Sequence, residues 1–183
     1  MYLETSNGMQ TKPNYGLNEF PDQSRCIFCK IVAGKTPATI LYEDDTLIVF
    51  LNRYKRSSVG PDCLVIPKEH YTYSWEIPAE LLSPLLQMTQ YVSKALMEAT
   101  AARGTRIWIS SGRQAGQTIG HVHFHVYPCY TPWDLLYYFR GMTPFSRWIR
   151  NYFHMSSKPS KTQALEKMAA PIRKRLQEIM QNA

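Results

Sequence analysis

Several features missing from the chain narrow its class before any motif is considered. Its 183 residues contain no apolar run approaching the roughly 20 positions a membrane-spanning helix requires. The first residues lack a basic stretch followed by a hydrophobic segment, so a secretory signal is not expected. No internal repeat is present. Cysteine is sparse, at four residues, and without a secretory route these read as thiols or metal ligands, not disulfides. Together these absences lead us to expect a cytoplasmic protein. Acidic residues are scarce in one region only. From Thr131 onward there are nine Lys/Arg and three Asp/Glu, a net +6, whereas residues 1–130 hold twelve and eleven, a net +1. What remains, 44% hydrophobic and 19% charged, suits one globular domain with appendages and a proper core.

The chain divides by composition into three parts. Residues 1–24 are polar with no apolar period and read as a mobile arm. Residues 25–130 carry the regular elements, and 131–183 form a basic, aromatic-rich helical extension. Within the middle part, residues 26–33 suit a short turn or helix ended by Gly34 and Pro37. Residues 40–42 and 46–51 read as strands about the acidic Glu43-Asp44-Asp45 turn, and 63–66 as a third strand stopped by Pro67. Ser83-Pro84 is the expected start of a long helix. Leu85, Met88, Val92, Ala95, Leu96 and Ala99 line one face of it, and Gly104 ends it. Residues 106–110 and 121–127 complete an α+β domain, a five-stranded antiparallel sheet with one long helix.

In the extension, Phe145, Trp148, Ile149, Tyr152 and Phe153 recur at helical spacing after Thr143-Pro144. A second stripe of Leu165, Met168, Ala169, Ile172, Leu176 and Ile179 is expected to kink or break at Pro171. Both helices are expected to fold back onto the sheet or a dimer partner. A basic aromatic surface for nucleic acid or an anionic membrane is the alternative.

The chain is organised around residues 116–128, where three of the five histidines occupy alternate positions, His121, His123 and His125, with Val122, Phe124 and Val126 around them. A period of two places the imidazoles on one face of a strand and the apolar chains on the other. Such a row holds a metal, or offers one imidazole as a nucleophile with a second to assist. Before it, residues 111–118 are rich in glycine and small polar side chains, which suit a phosphate-cradling turn. Cys26 and Cys29 form a CxxC pair open to three readings: a redox couple, two buried thiols, or half of a zinc site.

Residues 121–127, His-Val-His-Phe-His-Val-Tyr, with the preceding Gly116-Gln117-Thr118, resemble the signature of the histidine triad (HIT) superfamily of nucleotide hydrolases and transferases. Cys26-Ile27-Phe28-Cys29-Lys30-Ile31 with Tyr42-Glu43-Asp44-Asp45, and Leu64-Val65-Ile66-Pro67-Lys68-Glu69-His70, are similar to its opening and middle blocks. The resemblance spans about residues 26–128 and implies the HIT fold, a homodimer and a purine nucleotide substrate. It makes the middle histidine, His123, the nucleophile on the α-phosphorus, and His125 a hydrogen-bond partner of the phosphate or leaving group. Gln117 and Thr118 become donors to the phosphate oxygens. Ile27, Phe28, Ile31, Phe50 and Leu51 match the base pocket, and Asn52 stands where many relatives place a ribose-binding Asp. Ser110 replaces a longer Asn or Gln near the leaving group. Zinc-containing members of the family complete their CxxC site with the histidine of Lys-x-His and the first triad histidine. By resemblance, a structural Zn²⁺ would therefore be held here by Cys26, Cys29, His70 and His121. The implied activity is hydrolysis of a dinucleoside polyphosphate or nucleoside phosphoramidate. The alternatives are a non-catalytic nucleotide-binding protein and a nucleotidyl-processing enzyme directed to nucleic-acid ends by the basic tail.

Overall fold

The computed structural model describes residue 20 and residues 22–53, 62–130 and 162–183. A short helix α1 (Ile27–Val32) leads into strands β1 (Thr39–Glu43), β2 (Leu47–Leu51) and β3 (Cys63–Pro67). The long helix α2 (Ala79–Thr100), strands β4 (Gly104–Ile109) and β5 (Phe124–Cys129), and helix α3 (Thr162–Gln181) follow. The five strands form one antiparallel sheet in the order β1-β2-β3-β5-β4, as the alternating patterns imply. The β1–β2 turn is built by Asp44, whose Oδ1 accepts hydrogen bonds from the backbone N–H of Thr46 (2.7 Å) and Leu47 (2.9 Å).

The sheet has two unlike faces. Leu47, Val49, Leu51, Cys63, Val65, Val122, Phe124 and Val126 point into the main core beneath α2 and α3. Ile48, Phe50, Leu64 and Ile66 point the other way and gather with Cys26 and Phe28 of the α1 segment. This second, thinner layer is where the histidines lie.

Three boundaries depart from the sequence expectation. α2 begins at Ala79, with Pro78 O accepting from Leu81 N and Leu82 N (3.1 Å each), so Pro84 lies inside the helix instead of opening it. The helix ends with Ala101 in the left-handed region (φ 55°), and Gly104 starts β4. β5 starts at Phe124, not His121. Upstream, His121 N bonds to Ile119 O (2.9 Å) and Val122 N to Tyr71 O (2.7 Å), which takes those amides out of the ladder.

α3 runs unbroken through Pro171 and packs on α2 and β1. Leu165, Ala169, Ile172, Leu176 and Ile179 enter the main core as the stripe predicts. Arg173 donates from Nε (3.1 Å) and Nη2 (2.6 Å) to Ile40 O, beside the register shift in β1. Arg175 pairs with Glu98 of α2 and with Glu178. The C-terminal helix thus belongs to the domain, and its basic side chains are partly engaged within it. Leu176→Ala should lower stability by about 2–5 kcal/mol, visible as a shifted denaturation midpoint with an unchanged slope. The aromatic helix expected at 145–153 and residues 1–19 of the arm lie outside the described residues. Phe20 and the turn at Gln23–Arg25, the described end of the arm, are structured.

Candidate active site and metal cluster

Alternation along residues 121–126 survives although the strand starts late: the three valine and phenylalanine side chains enter the main core, and the histidines line the other face. All three imidazoles are buried. Phe28 links α1 to this row, its ring edge-on to His121 (5.8 Å), His123 (5.2 Å) and Phe50 (5.5 Å between centroids).

His123 Nδ1 lies 2.7 Å from His121 O. A carbonyl only accepts, so Nδ1 carries the proton, and the neutral ring has its lone pair at Nε2. The tautomer is therefore set by the backbone. His125 is 4.8 Å from His123 between ring centroids, with Trp108 of β4 edge-on to it (5.3 Å) and Tyr127 stacked beside it (5.5 Å). Its Nδ1 meets Asp62 Oδ2 at 2.6 Å.

The sequence reading did not single out Asp62 or Trp108. Asp62 sits one residue before β3, where an acidic side chain reads as loop, yet it is fully buried. The only signal available was a charge abutting an apolar strand. Trp108 was detectable in principle, since antiparallel pairing sets it directly opposite His125.

Other expected site residues separate on inspection. Phe28 and Phe50 are buried beside the histidine row and Ile31 packs on the same layer, while Ile27 is 40% exposed. Leu51 is corrected: it alternates to the opposite face, into the core under α2 and α3, away from the histidines. Asn52 is buried and donates from Nδ2 to Asp62 Oδ2 (3.3 Å). Ser110 follows β4, half-buried, and Thr118 is exposed on the loop.

Gln117 is the second correction. It is buried, its Oε1 accepts from Gly112 N (2.7 Å), and its Nε2 donates to Thr72 O (2.7 Å) and Ile119 O (3.1 Å). Both amide hydrogens are used, so this side chain staples the loop and has none left to donate to a phosphate. Gly112 and Gly116, at φ 94° and 91°, take backbone conformations that disfavour other residues. At the far end of the loop, Phe20 seats on Gly120 so closely that a Cβ there would lie 2.3 Å from its own Cβ. The Arg113 guanidinium lies 4.6 Å from the same ring.

Next to the row, one ligand atom each from Cys26, Cys29, His70 and His121 lie within 4.8 Å of one another. Cys26 is the extended residue that caps α1 and Cys29 lies in the first turn of the helix, so both thiols come from its N-terminal end. His121 Nδ1 is 3.6 Å from Cys26 Sγ and 3.5 Å from Cys29 Sγ, and His70 Nδ1 is 3.2 Å from Cys29 Sγ. A tetrahedral Zn²⁺ with its usual bond lengths holds sulfur and nitrogen ligands about 3.5 Å apart, so the donor set fits. His121 Nε2 donates to Pro67 O (2.9 Å), which leaves Nδ1 as the ligand nitrogen. Burial holds the His121 imidazole neutral, its pKa lowered to about 4. Burial also raises the Cys29 thiol to about 12, with Cys26 beside it adding to the effect. Without a cation the Cys29 thiol stays protonated at neutral pH.

Comparison with known proteins decides the family. The HIT domain model matches residues 33–131, more than half of the chain. The chain belongs to the HIT family. Within it, 106 residues (58% of the chain) are 34% identical to Adenylylsulfatase HINT3 of Arabidopsis thaliana, of which they cover 53%. The chain thus spans about half the length of that relative. Protein hit of Bacillus subtilis is 33% identical over 109 residues, 60% of this chain and 74% of that protein. Among solved structures, a zinc-bound histidine triad family protein from Mycobacterium smegmatis superposes with a TM-score of 0.66 at 25% identity, covering 88% of this chain and all of that one. A hypothetical histidine triad nucleotide-binding protein from Sulfolobus tokodaii gives 0.66 at 27%, covering 84% and 93%. The cysteine pair precedes the HIT model's match, so the cluster joins a segment outside that match to the third strand and the triad.

Proposed function

We propose that this HIT protein is a hydrolase of purine nucleotides, cleaving at the α-phosphate through a nucleotidyl-His123 intermediate. The observation that carries the reading is the His123 Nδ1 to His121 O bond of 2.7 Å, which holds the buried imidazole with its proton at Nδ1 and, when the ring is neutral, its lone pair at Nε2. In the first step that lone pair attacks the α-phosphorus and the bond to the leaving group breaks. In the second, water attacks the same phosphorus, the P–N bond breaks and the imidazole is regenerated with release of the nucleoside monophosphate. Phe28, Phe50, Ile31 and Ile27 would receive the base, Asn52 the ribose, and Thr118 and Ser110 the phosphate and leaving group. Dinucleoside polyphosphates and nucleoside phosphoramidates are the substrate classes that follow. The printed name of the Arabidopsis relative adds adenylyl sulfate. Incubation with this panel, with intact-mass detection of an adduct on His123, tests the reading. A full panel with neither turnover nor adduct would leave a nucleotide-binding role.

Cys26, Cys29, His70 and His121 would hold a structural zinc, as the fit of the donor set and the zinc-bound M. smegmatis structure support. Through these four ligands a bound zinc would tie α1 and its Phe28 to the sheet, and His123, which is not among them, would keep the phosphoryl chemistry.

The protein is proposed to act as a homodimer through β4. This strand is an edge of the sheet, and Ile107, Ile109 and Met97 are exposed around it. Sedimentation should give a dimer mass, and Ile107→Glu should yield monomer. The tail-directed reading is weaker, because Arg173 and Arg175 are engaged with Ile40 O, Glu166, Glu98 and Glu178. No helix among the described residues is long and apolar enough to cross a membrane.

A further inference from the structure

Asp62 and His125 form a buried pair, their side chains 0% and 5% exposed, in contact at 2.6 Å between Oδ2 and Nδ1. Asp62 is fixed from its own backbone, since Asp62 O accepts from Asn52 N (2.8 Å) and Oδ2 also accepts from Asn52 Nδ2 (3.3 Å). Its other oxygen, Oδ1, has no hydrogen-bond partner among the described residues. A carboxylate left half-satisfied at full burial is unfavourable unless a cation lies against it. Protonating His125 supplies that cation and gives Nε2 a proton to donate.

We propose that Asp62 is a positioning residue that keeps His125 as a donor at Nε2, so that His125 delivers the proton to the leaving group. The role rests on the hydrolase reading above. As the bond from phosphorus to the leaving atom breaks, its electron pair stays on that atom, which takes the proton from His125 Nε2. The neutral ring keeps Nδ1–H on Asp62. In the second step the attacking water gives its proton back to Nε2 while the P–N bond to His123 breaks. Among the described residues, the charged and titratable groups facing His125 are Asp62 from the approach to β3, His123 and Tyr127 along the histidine strand, and Arg106 from β4. Arg106 stands opposite Tyr127 on the same face. Of these, Asp62 is the group with an oxygen in hydrogen-bond contact with the ring nitrogen, and it favours the protonated form.

Asp62→Asn keeps the shape and an acceptor for Nδ1–H but removes the charge. It should be assayed with two adenylyl substrates that differ only in leaving group, an alkylamine phosphoramidate and a p-nitrophenyl ester. Activity on the amine should fall about 10²-fold, whereas the nitrophenolate, which departs without a proton, should lose less than about threefold. In parallel, imidazole ¹⁵N shifts should show His125 at least about tenfold less protonated at pH 7 in the variant than in the wild type. Equal losses on both substrates, or an unchanged His125 titration, would overturn the proposal. The wild-type titration decides even if the variant does not fold, because a His125 already neutral at pH 7 is incompatible with the role. A wild type that turns over neither substrate sinks the hydrolase reading and the catalytic use of the pair with it. The imidazole titration still reads the pair in the resting protein.

Discussion

His123→Ala is expected to reduce turnover by at least about 10³-fold while nucleotide affinity changes by less than about tenfold. The asymmetry follows from what the side chain touches. Removing the imidazole deletes the atom that would bond to phosphorus, and no neighbouring group among the described residues takes its place. His125 is on the same face, but its Nδ1 is bound to Asp62, and its ring lies between Trp108 and Tyr127. The base-side layer of Phe28, Phe50 and Ile31 is built from α1 and β2; Phe28 loses its edge contact with His123 but keeps those with Phe50 and His121, so the layer stays in place. Stopped-flow turnover together with equilibrium titration of a non-hydrolysable nucleotide separates the two quantities. Residual turnover within about tenfold of wild type would remove the covalent route. The covalent adduct seen by mass spectrometry in the wild type should be absent from this variant.

Much of the fold was legible because its signals are local. The period of two through Val122, Phe124 and Val126 assigns their side chains to one face, and the stripe Leu165, Ala169, Ile172, Leu176 and Ile179 assigns a helix face. Both hold in three dimensions. Boundaries were less legible where the deciding partner is distant in sequence. His121 reads as strand by alternation, but Val122 N is claimed by Tyr71 O, a bond across 51 positions that no local pattern announces. Pro171 reads as a break, yet packing on α2 and β1 carries α3 through it, which shows tertiary burial overriding propensity.

Within the site, legibility followed the same division. The four residues of the metal cluster were named from the resemblance, and the fold brings their ligand atoms together. Gln117 was assigned to the phosphate from its place in the motif, but its short loop closes on itself and consumes both amide hydrogens. Leu51 was grouped with Phe50 as a neighbour in sequence, and in a strand that very adjacency sends it to the other face. Asp62 was unreadable because its importance lies in pairing with a residue 63 positions away.

Cys29→Ser is expected to abolish zinc binding and to cost roughly 3 kcal/mol or more, about 6–12 °C in Tm for a domain of this size. Cys29 is the central ligand of the cluster, with Sγ near both His70 (3.2 Å) and His121 (3.5 Å), so its loss leaves three donors and an incomplete tetrahedron. Wild-type protein should carry one zinc per chain by elemental analysis, and a zinc-free preparation would end the assignment. The metal-free protein should also show a defined pH response. The His121 pKa is lowered by burial to about 4 from an ordinary 6.5. Between those values the unfolded chain binds a proton that the folded one does not, and stability falls as pH falls through that window. Burial raises Cys29 to about 12 from 9. Above pH 9 the unfolded thiol ionises first, so stability also falls as pH rises. Zinc should suppress the acid effect until its ligands protonate, because a bound cation holds His121 neutral and the thiols ionised. Catalysis should suffer less than stability. His123 is not a ligand, but it depends on His121 O for its orientation. A loosened His121 should therefore cost the variant about tenfold in kcat, well short of the loss in His123→Ala. A Cys29→Ser protein that keeps both its zinc and its melting temperature would show that the cluster is a pair of buried thiols and two ordinary histidines.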